Sequence, residues 1–282
     1  DKNFKDFIQF KIEKSKNKTK FETFLNLKNL EIVVSDIAYK KIKDDEATLQ
    51  INGFKNNKKI FFNQINYKES DNKIEINDLE INNNKILNID KINLDFLNVY
   101  NFKNQINLIK NNNNYTLNGK SFDSTQLINN ISNSESDNNF FEIFENLNST
   151  IKINIDEVKL DQNNIVNNLN SILEIKNNKI FELNLNSNFS SNEKLFISIK
   201  TQKDNSVVTT FHSDRASAFV KKYKFIKGFE EGNLDFSSLK INNVTKSKLI
   251  IDNFKIQEVP VLAKILTLAS LQGIADLLTG EG

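Results

Sequence analysis

The feature that most constrains this chain is strict alternation of apolar and polar residues, repeated in short runs along most of its length. It is plain in Ile74-Glu75-Ile76, in Ile92-Asn93-Leu94-Asp95-Phe96 and in Ile151-Lys152-Ile153-Asn154-Ile155. It returns in Leu25-Asn26-Leu27, Phe181-Glu182-Leu183-Asn184-Leu185, Phe196-Ile197-Ser198-Ile199 and Leu239-Lys240-Ile241. A β-strand sends successive side chains to opposite faces, so each run forms a strand with one apolar face and one wet face. Strands of that kind belong to antiparallel sheets. The joints are equally regular: Asn56-Asn57, Asp71-Asn72, Asn83-Asn84, Asn112-Asn113 and Asn177-Asn178 each separate two alternating segments. Asn tolerates positive φ better than other non-glycine residues, and with seven glycines in the chain it takes over much of their role in tight turns. The pattern predicts a mainly β protein, an antiparallel meander of strand and Asn turn.

Helical interruptions are few. Ser124 to Ile131 and Phe140 to Leu147 have the spacing of short amphipathic helices around a polar stretch, 132–139. That stretch divides the chain into a β-meander segment (1–131) and a C-terminal segment (140–282). A further short helix is expected over Asp214 to Tyr223, N-capped by Ser213 or Asp214. The last apolar stretch, Val259 to Leu278, reads as a helix with Pro260 in its first turn and Gly280 placed to stop it. Lys264, Gln272 and Asp276 argue against a free membrane span, because charge at mid-bilayer is costly. Such a helix is expected to pack on a sheet or to cap an apolar groove.

Composition removes several function classes. The 282 residues carry 38 basic and 36 acidic side chains, a net charge of +2, without the concentrated positive field of a nucleic-acid surface. Lys11, Lys14, Lys16, Lys18 and Lys20 form a basic run, diluted by Glu13 and Glu22. The absence of cysteine excludes disulfides, zinc–thiolate sites and Cys nucleophiles. The bias toward Asn, Lys, Ile and Phe matches AT-rich codons. The Asn-X-Ser/Thr triplets at Asn17, Asn148, Asn188 and Asn243 are expected by chance in such a chain. The chain starts at Asp1 and holds no methionine, and is read as a segment of a longer protein.

No catalytic, metal or cofactor motif stands out. The sole histidine, His212, follows a strand-like run and has no cysteines or clustered acids in sequence. An enzyme would have to gather His212 with acids such as Asp214 or Glu230. Asp44, Asp45 and Glu46, beside Lys41 and Lys43, read as a solvated turn rather than a calcium loop. From pattern alone, the apolar faces are covered either by a second sheet, as in a sandwich, or by some other apolar material, and the pattern favours the sandwich.

The last part of the chain resembles the C-terminal region of the AsmA-like family, the group of AsmA, TamB and YhdP. The likeness rests on Ser213-Asp214-Arg215-Ala216, Lys227-Gly228-Phe229-Glu230-Glu231-Gly232-Asn233-Leu234 and Asp252-Asn253-Phe254-Lys255-Ile256. It continues through Val259-Pro260-Val261-Leu262, Leu268-Ala269-Ser270-Leu271-Gln272-Gly273-Ile274 and the Leu277-Leu278-Thr279-Gly280-Glu281-Gly282 tail. The resemblance implies an extended, bent β-sheet with an apolar groove, and a periplasmic protein anchored in the inner membrane by a part outside this chain. It implies a non-enzymatic role in moving phospholipid to the outer membrane or maintaining that membrane. Phospholipid acyl chains are then the expected partner, with no nucleic acid, metal or cofactor. The expected groove residues are Ile151, Ile153, Ile155, Leu183, Leu185, Ile197 and Ile199, with Leu262, Ile265, Leu266 and Ala269 of the last helix closing one end. The alternative is a structural or adhesive surface scaffold that binds no lipid.

Overall fold

The computed structural model describes residues 8–133, 140–220, 229–242 and 244–256. The expected C-terminal helix, with Leu262, Ile265, Leu266 and Ala269, lies outside them. The first strands are β1 (Ile8–Lys14), β2 (Thr19–Asn26), β3 (Ile32–Val34), β4 (Tyr39–Lys41), β5 (Ala47–Asn56) and β6 (Lys59–Glu69). Next come β7 (Asn72–Asn82), β8 (Lys85–Asn88), β9 (Lys91–Leu97), β10 (Lys103–Asn111) and β11 (Asn114–Asp123). After helix α1 (Thr125–Asn133) and a 3-10 turn (Phe140–Ile143) the chain continues as β12 (Ser149–Lys159), β13 (Ile165–Lys176) and β14 (Lys179–Ser190). The described elements close with β15 (Glu193–Thr201), β16 (Val207–Ser213), α2 (Ser217–Val220), β17 (Phe229–Ile241) and β18 (Val244–Ile256).

The protein is mainly β, as the alternation predicts, and its strands form one 16-stranded sheet plus the small β3–β4 pair. Neighbours in the sheet follow chain order from β1 to β18, with β3 and β4 left out of the series and β8 paired beside β9 along β7. The only other sheet among the described residues is the two-stranded β3–β4 pair, so a sandwich of two large sheets is not what covers the apolar face.

Asparagine does the turning. Twelve of the seventeen non-glycine residues with positive φ in the described chain are Asn, including Asn57, Asn83, Asn84, Asn112, Asn177 and Asn178 at the expected joints. Asn83 and Asn84 both lie in the left-handed region (φ 46 and 63), the pairing required by a hairpin turn whose twist matches its strands. The turn after β6 departs from expectation: Ser70 takes the positive φ there (47), not Asp71 or Asn72.

The meander is broken once. β11 and β12 run parallel, pairing Tyr115 with Ile151 and Asp123 with Lys159. Parallel neighbours cannot be joined by a hairpin, so residues 124–148 must carry the chain back along the length of the strands. Alternation shows that a segment is a strand but not its direction, which is why a plain meander was expected here. Asp123 starts the return by accepting hydrogen bonds from the Thr125 amide (3.0 Å) and Asn98 Nδ2 (2.9 Å). At the far end Asn178 Nδ2 donates to Phe144 O (3.0 Å) and the Glu145 amide to Ile86 O (2.9 Å). Of the two helices expected around the polar stretch, the first forms as α1, whereas the second shortens to the 3-10 turn because these hydrogen bonds hold 144–148 against two hairpins. The expected 214–223 helix is helical over Ser217–Val220 in the described residues.

The turn chemistry gives a direct test. Asn84→Val should lower stability by about 1–2 kcal/mol through the left-handed penalty, while Asn84→Gly should be neutral or stabilising; urea unfolding midpoints separate the two.

Candidate functional site: the apolar face of the sheet

Residues paired directly across neighbouring strands point to the same face, so the register traces each face across the sheet. One row begins at Phe10 of β1 and passes through Thr23, Ile51, Ile65, Ile76, Ile92, Leu108 and Leu117 to Ile153 of β12. The same row continues through Ser171, Leu185, Ile197, Phe211 and Phe236 to Leu249 of β18. Only Thr23 and Ser171 interrupt an otherwise apolar line over fifteen strands.

Rows on either side extend this stripe. One holds Leu25, Leu49, Tyr67, Ile74, Leu94 and Ile106, and continues through Ile155 to Leu169. The other includes Ile12, Phe21, Phe62 and Leu79 at one end and Tyr115, Ile151, Leu173, Leu183 and Ile199 further along. Glycine enters where the backbone leaves no space: a Cβ on Gly53 would lie 2.1 Å from Phe61 O, and one on Gly119 2.7 Å from Ile106 Cγ2. The opposite face is polar. Gln50, Asn66, Glu75, Asn93, Asn107, Asn118, Asn154, Asn170 and Asn186 form a matching row on nine successive strands, with Asn154 Nδ2 donating to Asn118 Oδ1 (3.1 Å).

The structure brings Ile151, Ile153, Ile155, Leu183, Leu185, Ile197 and Ile199 onto this one apolar face, in three adjacent rows. Ile155, Leu183 and Ile199 are buried, while the other four are half-buried. Sequence reasoning left out the first half of the stripe, Ile51 through Leu117, although it recognised several of those segments as strands. The missing information was the register that joins them.

Two pieces of the chain cover part of the stripe on its Leu25–Leu169 side. The first is the 27–46 insertion, whose Leu27, Ile32, Ile37 and Tyr39 pack with Tyr67, Phe96, Leu49 and Leu94. The Tyr39 ring meets Tyr67 edge-on (5.9 Å between centroids) and Phe96 likewise (5.4 Å). Its hydroxyl bonds Tyr67 Oη (2.6 Å) and donates to the buried Glu69 carboxylate, which also accepts from Asn72 Nδ2 (3.0 Å). Burial raises the Tyr39 phenol far above its ordinary value and pushes Tyr67 up to about 12, so both stay protonated donors. Lys41, fully buried, donates to the carbonyls of Lys28 (3.1 Å), Leu30 (2.9 Å) and Ile42 (2.7 Å) and thereby closes the insertion on itself.

The second cover is the segment after β16. Asp214 exchanges hydrogen bonds with the Lys194 backbone (2.9 and 3.0 Å), and the Ala216 amide donates to Gly232 O (2.6 Å). Gly232 has φ +87, and a Cβ there would come within 3.3 Å of the Ala216 Cβ. These contacts set α2 over the sheet, where Phe219 stands edge-on to Phe211 (4.7 Å) and Ala218 joins Ile155, Val166 and Leu195.

On the polar face, His212 Nδ1 lies 2.7 Å from Asp235 Oδ1 and Nε2 3.0 Å from Asp214 Oδ1. Asp235 thus takes the place beside the ring that sequence reasoning offered to Glu230, and both ring nitrogens are occupied by these contacts. Among the described residues no group of three or more His, Cys, Asp or Glu could hold a metal ion, and no helix is long and apolar enough to cross a membrane. No protein-family model, curated protein or solved structure matches this chain at a significant level.

Two outcomes follow from this geometry. Lys41→Ala should destabilise the protein by about 2–4 kcal/mol in urea unfolding, since three buried carbonyls lose their donor, and should open the 27–46 insertion to limited proteolysis first. The Asp235 hydrogen bond, reinforced by Asp214 and opposed by burial, raises the His212 pKa above its ordinary value. The stabilisation by His212 is therefore complete below the unfolded-state pKa and fades as pH rises through the higher folded value. The stability difference between wild type and His212→Gln should be larger at pH 5.5 than at pH 8.5 in paired denaturation curves.

Proposed function

We propose that this chain is a non-enzymatic β-groove segment that carries phospholipid acyl chains along the apolar face of its sheet. The observation that supports the reading is the unbroken register of that face from Phe10 to Leu249. Soluble proteins rarely leave contiguous apolar surface of this extent without a partner. Each methylene removed from water contributes roughly 0.8 kcal/mol, so a chain lying along the stripe is held without directional chemistry. Such a surface accepts acyl chains of differing length and lets them slide, as transport requires. Taken with the AsmA-like resemblance of Ser213–Ala216 and Phe229–Leu234, the reading extends to a periplasmic protein attached to the inner membrane through a part outside this chain. Its role there is phospholipid transport to the outer membrane or maintenance of that membrane.

A scaffold that binds no lipid is favoured by one observation: the insertion and the α2 segment already cover part of the stripe with the protein's own side chains. The two readings separate on one experiment. The protein is purified from a bacterial periplasm, extracted and assayed for lipid by mass spectrometry, beside an Ile153→Asp/Leu185→Asp variant. Both residues lie in the middle row and are half-buried, so a variant altered there tests the surface with less damage to the fold than one altered at buried Ile199. Co-purified phospholipid that falls severalfold in a folded variant is the expected result. A folded, lipid-free wild type would establish the scaffold.

A further inference from the structure

We infer that the groove selects anionic amphiphiles, with lysines along one long rim of the sheet receiving the headgroup phosphate; this rests on the lipid-groove reading above. Because the strands alternate in direction and 124–148 returns the chain to its starting end, seven turns gather on a single rim. They are 15–18, 57–58, 83–84, 112–113, 177–178, 202–206 and the turn between β17 and β18. With strands about 4.8 Å apart, that rim is roughly 65–70 Å long. Each of the seven turns has a lysine within two residues of it: Lys16, Lys58, Lys85, Lys110, Lys179, Lys203 and Lys240. Carboxylates of the same zone are Glu13, Asp204 and Asp90, the last beside Lys110; Glu80 and Glu174 pair with Lys59 and Lys176, and the returning segment adds Glu142 and Glu145 beside Lys85 and Asn82. Three described turns at the opposite end of the strands are balanced, with Lys68 and Lys73 near Glu69 and Asp71, Lys159 near Asp161, and Lys194 beside Glu193. The seven turns of this rim are therefore richer in lysine than the balanced turns facing them.

The position of these lysines relative to the stripe gives the charge a use. Lys14 follows Ile12, and Lys55 follows Gly53, on the apolar face itself, one step beyond the outermost apolar row; both pair with Thr19 between them. Lys110 follows Leu108 and Lys240 follows Ser238 in the same sense on β10 and β17. Neither Lys14 nor Lys55, nor Lys58 at the next turn, has a carboxylate partner among the described residues. The two covers, meanwhile, close the stripe on its other side, at Leu25–Leu94 and at Ile155–Leu195. An amphiphile seated with its acyl chains on the middle row consequently directs its polar end toward the lysines. Ammonium groups at such a boundary attract phosphate strongly, whereas a zwitterionic headgroup cancels most of that attraction.

The test uses soluble short-chain lipids below their micelle concentrations, so no bilayer surface is present. Binding of dihexanoyl phosphatidylglycerol and dihexanoyl phosphatidylcholine is measured by calorimetry for wild type and for Lys14→Gln/Lys55→Gln/Lys58→Gln. Wild type should prefer the anionic lipid by about tenfold at low salt, with the preference shrinking as salt rises. The triple variant should keep its affinity for the zwitterionic lipid and lose most of the preference. Equal binding of both lipids by wild type, or an unchanged preference in the variant, overturns the rim assignment and leaves the groove intact. Inorganic phosphate binding as tightly as phosphatidylglycerol also overturns it, because the acyl chains would then contribute nothing. Failure of both lipids to bind wild type removes the groove reading itself.

Discussion

Everything in this protein depends on the register of the backbone hydrogen bonds between neighbouring strands. Side-chain direction has period two along a strand, so a slip of one residue at any pairing would send every later apolar side chain to the polar face. Fourteen pairings in succession keep the parity from Phe10 to Leu249. The sheet tolerates irregularities because none of them falls within that row. The shifts at Asn52/Gly53, Gln105/Ile106 and Asn188/Ser190 lie beside it, where the chain meets a bulge or a strand end. Asparagine protects the register at the hairpins: by accepting positive φ it allows two-residue turns, which fix the pairing of the strands they join.

A single sheet with one apolar face must find something to cover it. Part of the solution is internal, and its two pieces use different physics. The insertion is held by buried polar groups: Tyr39 and Tyr67 on Glu69, and the Lys41 ammonium on three carbonyls. Burial of such groups is costly unless every donor and acceptor is matched, so the insertion has one closed arrangement rather than many. The segment around α2 relies on aromatic packing at Phe219 and on close backbone approach at Gly232. Both pieces act on the same side of the stripe. The rest of the middle row between Ile51 and Ile153 stays half-buried, and that is the surface on which the lipid reading rests.

The two long rims of the sheet differ in charge for the same topological reason that the faces differ in polarity. Alternating strand direction sorts turns into two sets by their order in the chain. The return between β11 and β12 preserves that sorting across the one parallel pair, since β12 starts at the end where β10 turned into β11. Lysines scattered through the sequence at intervals of roughly one hairpin thus become a line. Read alone, the sequence groups lysines at 11–20 and 221–227 and gives no sign of that line.

Alternation and the left-handed tolerance of Asn are local properties, so the strands, their wet and apolar faces and most of the turns are legible in the residues alone. Ile151, Ile153, Ile155, Leu183, Leu185, Ile197 and Ile199 were legible as one-face residues for that reason. The tertiary structure alone decided that β11 and β12 run parallel, that Asp235 sits beside His212, and that the 27–46 insertion folds back over Tyr67 and Phe96. It also decided that the N-terminal strands belong to the same stripe as the C-terminal ones. Each of these depends on which residues pair across long stretches of chain. Side-chain periodicity carries no information about partners, only about faces.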